Sequence, residues 1–232
     1  MRRAIGNLCV ARPVDLSMRK TLLGVPLALL LLAPTAAADD QQRVRTLTAD
    51  TIVGGVQRVE LRLPPGTYRI EPATDDRLRA ELDVHCSLDD DRCEERAGRL
   101  ALETGRQGNT LEMRVGGLST LGSIKFNFRG RILVPQGQTL DVDLPAGELK
   151  IKGMRGDLYV DVGAGTVAIV LREDDVRSVR LGVGIGEASL AVAGRNIEGS
   201  GWLGQKVRWG QGPGAARVAV NVGVGELEVR LD

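Results

Sequence analysis

Few side chains in this chain are equipped for chemistry. His85 is its one histidine; Cys86 follows it directly, and Cys93 comes after Ser87-Leu88-Asp89-Asp90-Asp91-Arg92. Histidine, thiolate and carboxylate are all metal donors, but Cys-x6-Cys with one histidine lacks the short paired spacing of a zinc site. The segment also reads as an acidic calcium-type loop, and most simply as a loop closed by a disulfide between Cys86 and Cys93. The chain-entropy model gives such a loop of about eight residues roughly 2.5 kcal/mol. A Ser-His-Asp or Cys-His centre would have to use His85 beside a cysteine expected to be oxidised. No catalytic residue, cofactor site or metal-ligand set is therefore assigned.

A second group is Asp141, Asp143, Asp157 and Asp161, on the outward phase of neighbouring expected strands. Enzymes that cleave glycans work with paired carboxylates, so a carbohydrate-active β-helical enzyme is the alternative function. The plainer reading is a solvated acidic face interleaved with Lys150, Lys152 and Arg155. Trp202 and Trp209 form either an interaction surface for a partner or a cover over the apolar end of a coil. The glycine-rich runs Gly182-Val183-Gly184-Ile185-Gly186 and Gly223-Val224-Gly225 precede strands, so no helix N-terminus faces a phosphate.

Two-residue alternation dominates from residue 39 onward. Leu140-Asp141-Val142-Asp143-Leu144, Leu158-Tyr159-Val160-Asp161-Val162 and Leu227-Glu228-Val229-Arg230-Leu231 each set apolar and polar side chains on opposite faces of a strand. No amphipathic helix is expected. Glycine contributes 30 of 232 residues and proline only nine, which excludes collagen and suits a turn-rich β-protein.

A glycine followed in most cases by a small or acidic residue and then alternating aliphatics recurs at Gly66, Gly108, Gly130, Gly147, Gly165, Gly186 and Gly225. The gaps of 42, 22, 17, 18, 21 and 39 give a period near 20 when the two largest are halved. Such a period signals a solenoid. The fold class predicted is all-β, a single-stranded right-handed β-solenoid or β-helix-like stack of about eight rungs with glycine at its corners. An antiparallel β-sandwich is the alternative. Residues 72 to 107 and 194 to 215 read as loops or irregular rungs on the same body.

Met18-Arg19-Lys20, an apolar run of about 13 residues and Pro34-Thr35-Ala36-Ala37-Ala38 read as a signal peptide spanning 1–38, with Met18 a possible start. The run falls short of the ~20 residues of a membrane span, so no stable transmembrane anchor is expected. Cleavage would remove five basic residues and one acidic one, leaving 26 basic and 29 acidic side chains, a net −3. That balance argues against nucleic acid as a partner, and export places the two remaining cysteines where disulfides persist. The expected organisation is 39–124 as an N-terminal β segment and 125–232 as a repetitive β domain continuous with it.

The run Ile132-Leu133-Val134-Pro135, then Leu140-Asp141-Val142, Gly147-Glu148-Leu149-Lys150-Ile151, Gly156-Asp157-Leu158-Tyr159-Val160 and Gly165-Thr166-Val167, with a last strand at Gly223–Val229, resembles the bacterial adhesin domain also called toastrack. The resemblance covers about 125–231. It implies a stack of short strands in an exported cell-envelope protein without a catalytic residue. Adhesion, binding or envelope-stress signalling follows as the expected role, with an envelope protein or glycan as partner and the periplasm or cell surface as location.

Overall fold

The computed structural model describes residues 41–118, 126–201, 203–210 and 212–232. The predicted signal peptide and Trp202 lie outside them. In chain order the elements are β1 (Gln41–Ile52), β2 (Arg58–Arg62), β3 (Gly66–Ala73), β4 (Arg77–Ser87), helix α1 (Cys93–Ala97), β5 (Ala101–Gln107), β6 (Thr110–Gly116), β7 (Asn127–Pro135), β8 (Thr139–Lys152), β9 (Leu158–Leu171), β10 (Val176–Val192), β11 (Arg195–Glu198), β12 (Leu203–Trp209) and β13 (Ala216–Leu231). The all-β class read from the alternation is what forms, and the strands join one 13-stranded sheet. The helical residues described are one turn at the disulfide and a 3-10 turn at Glu173–Asp175.

Four long strands, β8, β9, β13 and β10, lie parallel and in register, with Gly147, Gly165, Gly225 and Gly186 opposite one another. In β8 the buried residues are Leu140, Val142 and Leu144 before that glycine but Leu149 and Ile151 after it. A straight strand would put these two sets on opposite faces, yet all belong to one apolar cluster. The chain therefore turns a corner at the glycine, where φ is +132° in Gly147 and +143° in Gly165. A Cβ on Gly165 would sit 1.8 Å from the carbonyl oxygen of Gly147. Glycine is required twice over, by backbone angle and by the closeness of the rung beneath.

Each long strand is thus one rung with two faces, and paired short strands make two further rungs. β2 and β3 stack on the two halves of β8, with Gly66 opposite Gly147. β6 and β7 stack in turn on β2 and β3. Among the described residues the stack has six parallel rungs where about eight were expected, and the parallel pairing displaces the antiparallel sandwich. Its spatial order is β6/β7, β2/β3, β8, β9, β13, β10. Near each end the chain lays down one rung out of turn: β6/β7 beneath a rung made earlier, and β13 between two already made.

Antiparallel strands close both ends. β5 pairs with β6, β4 with β7 and β1 with β4 at one end; β12 and β11 share the edge of β10 at the other. Of these, β4, β5, β11 and β12 fall in the stretches expected as loops or irregular rungs. Two of the glycines expected at corners are not there. Gly108 (φ +58°) lies in the two-residue hairpin turn between β5 and β6, and Gly130 lies within β7 pointing inward, where a Cβ would strike Leu82 and Tyr68. Tyr68 takes that space fully buried, its hydroxyl donating to the Pro64 carbonyl at 2.8 Å.

Candidate interaction surface

The first face is formed by the rung halves before the corner. There Asp143 stands opposite Arg62 and Asp161, and Asp141 opposite Glu60 and Tyr159. Asp141, Asp157 and Asp161 are engaged within the fold. Arg58 donates to Asp141 at 2.9 Å and lies 5.7 Å over the Tyr159 ring. Asn221 donates to Asp161 at 2.9 Å, and the backbone N–H of Arg217 donates to Asp157 at 2.8 Å. Partial burial holds the Asp141 carboxyl above the ordinary range; Arg58 opposes this, and the charges of Glu60 and Asp161 add to it. Asp141, Asp157 and Asp161 are thus tied to neighbouring rungs, and Asp143 stands beside Asp161.

Farther along this face the charge turns positive. Arg180 of β10 lies opposite Arg208 of β12, with Lys206 two residues before it. None of the three has an ion-pair partner among the described residues. Like charges set directly opposite are destabilising. Beside them, at the corner, Leu203, Ile185 and Val224 occupy matched positions on β12, β10 and β13, and the column continues to Ala164. Leu203, Ile185 and Val224 are 58%, 47% and 50% exposed. This is a continuous apolar ridge with a cationic flank.

The second face is formed by the rung halves after the corner, and its charge is divided. Arg131 of β7, Arg69 of β3 and Lys150 of β8 form a row of cations on neighbouring strands. With Glu81, Asp83 and Arg129 they border an open recess of about 380 Å³. Glu71 pairs with Arg131 at 2.7 Å and Glu148 with Lys150 at 2.6 Å. β9 next presents uncharged Thr166, Ala168 and Val170. Beyond it Glu187, Glu198, Glu226 and Glu228 surround a recess of about 360 Å³.

The disulfide between Cys86 and Cys93 is present, and it ties β4 to α1. His85 borders an open recess with Gln41, Ser87, Asp89, Asp90, Phe126 and Asn127. Asp89 accepts from Ser87 and Asp90 from Arg96, so these acids serve the loop. Among the described residues no cluster of three or more histidine, cysteine or acidic side chains is placed to hold a metal. Trp209 sits on β12 opposite Val179, half-buried against the core. The ridge residues escaped the sequence reading, since Ile185 and Val224 lie inside runs read only as glycine-rich corners.

No helix among the described residues is long and apolar enough to cross a membrane. No family model matches the chain, and no curated protein does. Among solved structures, a putative cell adhesion protein from Clostridium sporogenes is 14% identical, covering 81% of this chain and 100% of its own, with a TM-score of 0.49. A putative adhesin from Bacteroides fragilis is 12% identical over 80% of this chain and 97% of its own, TM-score 0.29. One from Parabacteroides merdae is 13% identical over 55% and 56%, TM-score 0.23. The chain is thus similar to solved structures of bacterial putative adhesins.

Proposed function

We propose that this is an exported, non-enzymatic cell-envelope protein whose rung stack presents an adhesin-like binding surface. The observation that carries the reading is the ridge of Leu203, Ile185 and Val224 beside Arg180, Lys206 and Arg208. Exposed contiguous apolar side chains are characteristic of contact sites, and the cationic flank selects a partner bearing negative charge, an envelope protein or an acidic glycan. The signal-peptide pattern before residue 39 supports a periplasmic or surface location.

The test is co-sedimentation of the purified protein with cell-envelope fractions. Binding by the wild-type chain, and at least a tenfold loss in an Ile185→Asp/Arg208→Glu variant, is the expected result; equal retention of both would overturn the reading. A carbohydrate-active enzyme is favoured only by the raised Asp141 carboxyl. Because Arg58 binds that group, Asp141→Asn/Asp143→Asn is expected to leave envelope binding unchanged and to abolish no sugar release.

A further inference from the structure

We infer that the second face is a self-complementary surface on which a second copy of this chain docks with its rung order reversed. On one side of β9, the outward positions of β8, β3 and β7 carry five cations (Arg69, Arg129, Arg131, Lys150, Lys152) and two carboxylates (Glu71, Glu148), a net +3. On the other side, those of β13, β10 and β11 carry four carboxylates (Glu187, Glu198, Glu226, Glu228) and one cation (Arg230), a net −3. Between them lies the uncharged strip of β9, which a two-fold axis along the strand direction would cross at Ala168.

The register makes this complementarity specific. The middle column runs Arg131, Arg69, Lys150, Ala168, Glu228, Ser189, Glu198. Reversing the rung order about Ala168 sets Lys150 over Glu228, Arg69 over Ser189 and Arg131 over Glu198, and two-fold symmetry makes each contact twice. Left uncrossed, the flanking columns would set Glu148 over Glu226 and Lys152 over Arg230. Sheets stacked face to face cross at about 30°, which offsets the flanking columns by roughly 3 Å and slides pairs along their strands by roughly 2 Å for each strand away from the axis, so the Lys150–Glu228 pairs, one strand from it, stay the best aligned.

Seven strands at ~4.8 Å and a half-rung of ~15 Å give a footprint on the order of 450 Å² per copy. That is the small end of specific interfaces, and its attraction is ionic. A weak dimer dissolved by salt is the consequence.

Sedimentation velocity on the full chain tests it. Wild type at about 100 µM is expected to dimerise in ~20 mM salt and to be monomeric in ~500 mM, where the screening length falls to a few ångström. Lys150→Glu and Glu228→Lys, each singly, should be monomeric in low salt with unchanged circular dichroism, and the double exchange should restore the dimer. A wild-type monomer in low salt, a dimer indifferent to salt or to the single reversals, or a double variant that stays monomeric would each overturn the assignment. So would stoichiometric binding of a sulfated polysaccharide by a wild-type chain that never self-associates, since the basic half would then serve a foreign anion. The residues differ from Ile185 and Arg208, so the two proposals fail separately.

Discussion

Gly165 shows how one position combines two demands. Its φ of +143° disfavours any L side chain, and an added methyl would overlap the Gly147 carbonyl oxygen. Gly165→Ala is expected to cost more than ~3 kcal/mol in urea unfolding, the scale of strain plus overlap in a closed core. Asp141 gives a pH-dependent prediction. Its folded carboxyl titrates above the ordinary 3.8, so the native state binds an extra proton in the window above that value. Stability therefore falls as pH rises through the window and stays lower at neutral pH. Asp141→Asn removes this, so its melting temperature should exceed wild type at pH 7 and the gain should vanish below about pH 3.8. Single residues were unevenly legible. Gly147, Gly165, Gly186 and Gly225 announced corners through the strands that follow them, but Gly108 and Gly130 carry the same local pattern for a hairpin turn and for a gap filled by Tyr68. A five-residue pattern does not state what a glycine faces.

The capping strands show what each rung end requires. β12 pairs with β10 as far as Leu203 opposite Ile185, and β11 pairs from Arg195 opposite Val192 to Glu198 opposite Ser189, leaving the backbone of Ala188 in the gap between them. Gln205, only 6% exposed, accepts from the Ala188 N–H at 2.7 Å and donates to the Gly201 carbonyl. Gln205→Leu keeps the bulk and strands that N–H, so a loss of ~1–3 kcal/mol is expected in urea unfolding. Alternation made these segments visible as strands at best, because period two reports burial and not direction. Lys206-Val207-Arg208 reads the same whether it runs with β10 or against it. The candidate ridge was hidden for a related reason: Val224 and Ile185 fall at the corner, where the alternation slips and an aliphatic side chain points outward.

At the scale of the whole molecule, the six rungs share one core and both ends are covered by antiparallel pairs. A long bare edge recruits other chains, and the 17-residue edge of β10 is occupied by β12 and β11. Deleting residues 216–232 should do more than shorten the stack, since it removes the strand that joins β9 to β10. The expected outcome is loss of cooperative unfolding and aggregation by light scattering; a monomer with a single sharp transition would refute it. The rung order itself was beyond the sequence, because β9, β10 and β13 repeat the same glycine and the same aliphatic spacing, so each fits beside any other.

That β13 follows β10 in sequence yet lies between β9 and β10 bears on how the protein comes into being. A coil built in simple succession would add each layer to a finished one as the ribosome extends the chain. Here the seat between β9 and β10 stays vacant until residue 231 has emerged, and filling it requires contacts far apart in sequence, which slow folding. Closure of the stack is thereby coupled to synthesis of residues 216–231, and a product terminated before them has no shorter native form to settle into.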